Sequence, residues 1–132
     1  MRIDLTSFAK ALSSLERGIT RSQASPEDEE FRDAVIQRFE FTYELAWKSL
    51  KRVLAEEAPS PAELEAVSFR DLIRIGAEKG VIDDPLAWFG FREGRNISSH
   101  TYDEVKAAEV YRAALSFAVE AKELLGRLEA RI

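Results

Sequence analysis

The stretch from Glu27 to Glu57 limits what this chain can become more than any other part of it. Phe31, Val35, Phe39, Thr42, Ala46, Leu50 and Val53 fall on one helical stripe. Ile36, Tyr43 and Leu50, seven residues apart, mark a second, with Trp47 and Leu54 beside it. Apolar residues at three- and four-residue steps describe a helix, and a helix apolar over so wide an arc must be covered on more than one side. The expected fold is therefore a bundle with this helix at its centre. Its apolar surplus also points to a subunit interface.

The other segments are helical as well. Phe8, Leu12, Leu15 and Ile19 form one stripe, predicting a first helix over about Ile3 to Ile19, and the polar run Thr20 to Pro26 should end it. Pro59, Ser60 and Pro61 interrupt the chain after the long helix. A third helix is expected from Ser68, which can cap it with Asp71 in the first turn, to Gly80, a left-handed C-cap. Asp84-Pro85 reads as the N-cap and first residue of a fourth helix running into Arg95-Asn96. Thr101 and Glu104 have capping-box spacing, predicting a fifth helix to about Leu128 whose apolar face carries Val105, Ala108, Tyr111, Leu115, Ala118, Lys122 and Leu125. Nothing reads as a strand, and the connections are short. The expectation is one all-α domain over residues 1–132, an antiparallel four- to five-helix bundle.

Composition narrows the function. With no cysteine, thiolate metal sites, disulfides and cysteine nucleophiles are out of reach, and a reducing cytoplasm suits the chain. The N-terminus lacks the apolar run of a signal peptide. No segment approaches the roughly 20 apolar residues that span a bilayer, so a soluble cytoplasmic protein without a membrane partner is expected. The formal charge of −5 argues against tight, non-specific nucleic-acid binding. Yet Glu27, Asp28, Glu29 and Glu30, with Glu56, Glu57, Glu63 and Glu65, account for −8, so the remainder sums to +3. Those clusters read as solvated helix ends, and a locally basic cleft is compatible with the balance.

Chemistry concentrates in Arg95-Asn96-Ile97-Ser98-Ser99-His100-Thr101-Tyr102, which holds the one histidine. Arg95 offers a planar, permanent charge suited to phosphate, and His100 exchanges protons near neutral pH. Asn96 would share a face with His100 and could fix its tautomer if the helix persists that far. Tyr102 falls in the expected first turn of the next helix. Five residues turn an ideal helix through about 140° beyond a full turn. Arg95 and His100 therefore converge only if the helix loosens or a second subunit supplies its own copy. The structural alternative is a helix end where both cations favour the negative end of the dipole.

Other candidates carry less. Glu40 and Glu44, at i and i+4, could be paired carboxylates or metal ligands, but such a pair is more often a buried polar contact. Glu40, between Ile36 and Tyr43, could point inward toward Arg95 or His100. Trp47 and Trp88 could stack a base, although tryptophans on helical stripes usually belong to the core. Gly90 and Gly94 lack the strand–loop–helix setting and the lysine of a phosphate loop, and read as allowing close helix approach or mobility.

Arg95-x4-His100-x-Tyr102 resembles the Arg-x4-6-His motif of HEPN domains, in the form followed by x-Tyr. Arg38-Phe39-Glu40-Phe41-Thr42-Tyr43-Glu44-Leu45-Ala46-Trp47-Lys48 is similar to the central helix of the nucleotidyltransferase substrate-binding proteins, and Arg95-Asn96-x3-His100-Thr101-Tyr102-Asp103-Glu104 is typical of that group too. The likeness covers roughly Phe31 to Tyr111. It implies a dimerising HEPN bundle paired with a minimal nucleotidyltransferase, as in HepT–MntA toxin–antitoxin systems. It also implies a metal-independent RNase without a cofactor, with Arg95 and His100 of two subunits facing one cleft, supported by Asn96. The partner would silence it by attaching AMP to Tyr102.

Two readings follow. In the first, the chain is an endoribonuclease: Arg95 holds the scissile phosphate of RNA while His100 moves protons between the ribose 2′-hydroxyl and the leaving oxygen. In the second, it is a non-catalytic subunit presenting a substrate, or its own tyrosine, to a nucleotidyltransferase. A helical interaction module with capping Arg and His is the bland third.

Overall fold

The computed structural model describes residues 3–132. Its order is α1 (Thr6–Ala24), α2 (Glu29–Glu57), α3 (Pro61–Glu65), α4 (Phe69–Glu78), α5 (Pro85–Ile97), a 3-10 turn over Ser98–His100, and α6 (Glu104–Glu129). There is no strand among the described residues, so the all-α bundle holds. α2 is central: it packs against α1 and α6 and also touches α3, α4 and α5. Both of its predicted stripes are buried, through Val35, Ile36, Phe39, Tyr43, Ala46, Leu50, Val53 and Leu54. One apolar cluster runs from Leu5 to Leu128.

Phe117 of α6 is the aromatic hub. It meets Phe39, Trp88 and Phe91 edge to face, with centroids 5.3, 5.7 and 5.4 Å away. Each such pair adds roughly 0.5–1.5 kcal/mol beyond its burial. The cluster fixes α5 against both α2 and α6, and so sets where the end of α5 lies.

The caps explain most boundaries. Asp28 accepts from the amides of Glu30 and Phe31 at the start of α2, Ser68 from Asp71 at α4, and Asp84 from Ala87 at α5, where Pro85 follows. Gly80 closes α4 at φ +80°, which a side chain rarely tolerates.

Four expectations need correction. α1 starts at Thr6, because the Asp4 carboxylate takes the Thr6 amide (2.8 Å). It also runs past Ile19 to Ala24: Ser22 in the polar stretch is buried, bonding the Tyr111 hydroxyl of α6 at 2.7 Å. The proline segment contains the short helix α3, with Pro61 in its first turn. The buried face of α6 is the neighbouring row, Ala107, Val110, Ala114, Phe117, Ala121, Leu124 and Leu128. Of the predicted row only Ala118 is buried; Tyr111, Leu115 and Leu125 lie on its edge, and Val105 and Lys122 face solvent. Finally, the cap of α6 is Asp103 rather than Thr101. The Asp103 amide closes a turn on the His100 carbonyl (3.1 Å), and its carboxylate accepts from Val105 and Lys106.

Gly94 allows close approach, as one reading of its position suggested. A Cβ there would lie 3.0 Å from the Cβ of Ala113 on α6 and 3.7 Å from the ring of Phe39. Around Gly90 there is open space. Gly94→Val is expected to lower stability by about 1–3 kcal/mol through overpacking, checked by urea denaturation, whereas Gly90→Ala should leave stability equal or higher.

Candidate functional site at the end of α5

Phe91 packs into the aromatic cluster, and Arg95 follows one helical turn later on α5. On α2 the neighbours of Phe39 and Tyr43 are Glu40 and Glu44. Packing the two helices through these aromatics brings the guanidinium between both carboxylates. Arg95 Nη1 donates to Glu40 Oε2 at 3.2 Å, and Arg95 Nε lies 3.7 Å from Glu44 Oε1. That last distance is too long for a hydrogen bond, and Nε is buried without a partner. Glu40 thus points inward at Arg95, and the face-sharing carboxylates are its counter-ions.

Ser98 locks the arrangement. Its hydroxyl lies 2.5 Å from Glu40 Oε2 and 2.8 Å from the Arg95 carbonyl, and its oxygen accepts from Arg95 Nη1 at 3.2 Å. The shorter contact has the length of a hydroxyl donating to a carboxylate. Ser98 was missed in the sequence. The available signal was its i+3 spacing from Arg95, but nothing local announces a bond to a residue on α2.

After Ile97 the α-helix gives way to the tighter 3-10 turn, a break in the helix that does not bring Arg95 and His100 into contact. The turn leaves His100 exposed, its Nδ1 3.3 Å from the Tyr102 hydroxyl and the two rings edge to face at 5.9 Å. Tyr102 stands just before the cap Asp103, not inside the first turn of α6, and is 82% exposed. It does not pack as a hydrophobic staple. Among the described residues no hydrogen bond joins His100 to Arg95 or to Asn96. The helix ends before Asn96 and His100 can share a face, so the imidazole's partner is Tyr102.

Asn96 instead lines a cleft of about 300 Å³ between α2, α4 and α5, together with Arg92, Arg95, Lys51, Trp47 and Phe69. Trp88 is core, 1% exposed, whereas Trp47 is half-buried on this cleft. Tyr43, beneath it, has its phenol pushed well above the ordinary range by burial, opposed by the nearby charges of Arg92 and Arg95. None of the described helices is long and apolar enough to cross a membrane.

Known proteins give the geometry a context. The profile of the family described as "nucleotidyltransferase substrate binding protein like" matches residues 3–130. A Haemophilus influenzae protein named "Probable ribonuclease HepT" is 42% identical over 96 residues, which are 73% of this chain and 66%, just under two thirds, of that protein. A solved structure from the same species, described as revealing the fold of a substrate binding domain of a nucleotidyltransferase, superposes with a TM-score of 0.89 at 34% identity over 96% of this chain and 99% of that one. A crystal structure from Thermus thermophilus follows at 0.75 and 34% identity, covering 92% and 98%.

Proposed function

Because this chain belongs to the nucleotidyltransferase substrate binding protein like family, we propose that it is the HEPN subunit of a toxin–antitoxin pair, a metal-independent endoribonuclease silenced when a minimal nucleotidyltransferase modifies Tyr102. The observation that carries this reading is the exposed pair of His100, at the end of the 3-10 turn, and Tyr102, just past it, beyond a guanidinium held by Glu40 and Ser98. A proton-exchanging imidazole and a fixed cation are what cleavage by RNA's own 2′-hydroxyl requires. The 2′-oxygen attacks phosphorus, the bond to the 5′-oxygen breaks, and the products are a 2′,3′-cyclic phosphate and a 5′-hydroxyl. His100 accepts the 2′ proton or returns one to the leaving oxygen, and Arg95 stabilises the charge gathering on phosphate.

The name of the Haemophilus relative supports the ribonuclease reading. A second reading, a non-catalytic subunit that presents a substrate to the nucleotidyltransferase, draws on a different fact. In the single chain Arg95 is already matched by Glu40 and Glu44, which lowers its capacity for an added phosphate. The deciding experiment incubates purified protein with single-stranded RNA in EDTA and maps the ends. Cyclic or 3′-phosphate termini are expected; strict dependence on magnesium overturns the mechanism.

The same reading requires a homodimer, since each chain holds Arg95 and His100 in separate bonded pairs and a partner's copy would complete the site. Sedimentation at micromolar concentration should give twice the 14.9 kDa chain mass. A monomer that still cleaves RNA contradicts the two-fold arrangement.

A further inference from the structure

The cleft between α2, α4 and α5 has its own chemistry. Trp47 and Phe69 meet edge to face at 6.5 Å and form an aromatic wall. Lys51, Arg92 and Arg95 line it with one carboxylate, Glu44, and two of these cations pair with carboxylates outside the lining, Lys51 with Glu65 at 3.7 Å and Arg95 with Glu40 at 3.2 Å. These cations are not equivalent. Arg95 is held by Glu40, and Lys51 donates to the Glu65 carbonyl at 2.7 Å. Arg92 has no ion pair among the described residues; its guanidinium lies over the Phe69 ring at 5.1 Å, on the exposed rim. A planar apolar wall beside an uncommitted guanidinium fits a ligand that joins a flat ring to an anion.

We propose that this cleft is a nucleotide subsite, taking one base of a single-stranded RNA against Trp47 and its phosphate on Arg92. Its volume, about 300 Å³, is at the lower limit for small-molecule pockets and suits one nucleotide rather than two. The assignment to RNA rests on the ribonuclease reading, through Arg95, which both lines the cleft and belongs to the Arg-x4-His motif. A strand whose scissile phosphate meets Arg95 has its neighbouring nucleotide at the cleft. Base–aromatic stacking tolerates any sequence, so the subsite would add affinity and register more than base preference.

The two tryptophans make the test clean. Trp88 is buried and should not sense a ligand, while Trp47 faces the cleft. A ribotetranucleotide titrated into the full-length His100→Ala protein, which holds the RNA uncut, should quench tryptophan fluorescence, and the quenching should vanish in Trp47→Phe. Labelled tetranucleotide followed by anisotropy should bind about tenfold more weakly to Trp47→Ala and several-fold more weakly to Arg92→Gln, with a shallower salt dependence in the latter. Arg92 is exposed, so its variant tests the site even where Trp47→Ala fails to fold. ATP supplies the other source of the same chemistry: if it quenches at lower concentration than the tetranucleotide, the cleft is not an RNA subsite. Absence of quenching by the tetranucleotide, or unchanged affinity in Arg92→Gln, overturns the subsite. The cleavage assay on wild-type protein is independent and reports separately on the reading beneath it.

Discussion

Replacing His100 by alanine is expected to slow RNA cleavage by roughly a hundred- to ten-thousand-fold, the usual contribution of a positioned general acid or base. The fold should be untouched. His100 is exposed, and the one hydrogen bond it loses is a 3.3 Å contact with an exposed tyrosine, so helicity by circular dichroism and the urea midpoint should match wild type. Arg95→Ala should lower cleavage comparably, by about a hundredfold or more if it stabilises the transition-state charge, but it is a poorer instrument. It leaves Glu40 without its cation and Glu44 with Lys48 alone, and removes a donor from Ser98. Arg95→Lys separates the two effects, because it keeps the charge beside both carboxylates and loses the planar fork. Cleavage that survives in His100→Ala removes the imidazole from the mechanism, whatever Arg95 does.

How far the sequence reached follows from the range of the forces involved. The long stripes of α2 and the caps at Ser68, Gly80 and Asp84 are set by residues three or four positions apart, and they stand in the structure as read. At α6 two local signals competed. Thr101 with Glu104 has capping-box spacing, yet Asp103 prevails because the turn closing on the His100 carbonyl carries the chain past Thr101 before it becomes extended. The buried row of α6 misled for a different reason. Ala107, Val110, Ala114, Phe117, Ala121, Leu124 and Leu128 occupy the core, while Tyr111 and Leu115 lie on the rim. Both rows are apolar at helical spacing, so periodicity alone does not choose between them. The site divides along the same line. Arg95, His100 and Tyr102 lie within eight consecutive residues, so their nearness along the chain is legible, and the position of Glu40 between Ile36 and Tyr43 gives its direction toward Arg95. The Ser98–Glu40 bond spans 58 residues and depends on the packing of α5 against α2, which no local pattern encodes.

Tyr102→Phe should leave cleavage intact and make it resistant to the partner nucleotidyltransferase. The expectation comes from the place of the phenol. It is 82% exposed and precedes the capped start of α6, so a transferase can reach it and a transferred phosphate would lie near the positive end of a helix dipole. Its hydroxyl also sits 3.3 Å from His100 Nδ1, within reach of a base able to take the phenolic proton as the oxygen attacks the α-phosphorus of a nucleoside triphosphate and pyrophosphate leaves. Once attached, the nucleotide would replace the hydroxyl's contact with His100 by a bulky, negatively charged group at the imidazole, excluding an RNA phosphate by both charge and volume. Phenylalanine keeps the ring and removes only the oxygen, and since that ring is not packed, stability should change by less than about 0.5 kcal/mol. Co-expression with the nucleotidyltransferase followed by intact mass then separates the possibilities. Wild type should gain one or more nucleotidyl groups and lose cleavage, while Tyr102→Phe should keep its unmodified mass and stay active. A Phe variant that is silenced to the wild-type extent would mean that the partner acts by covering the site, and that the exposed tyrosine is not its target.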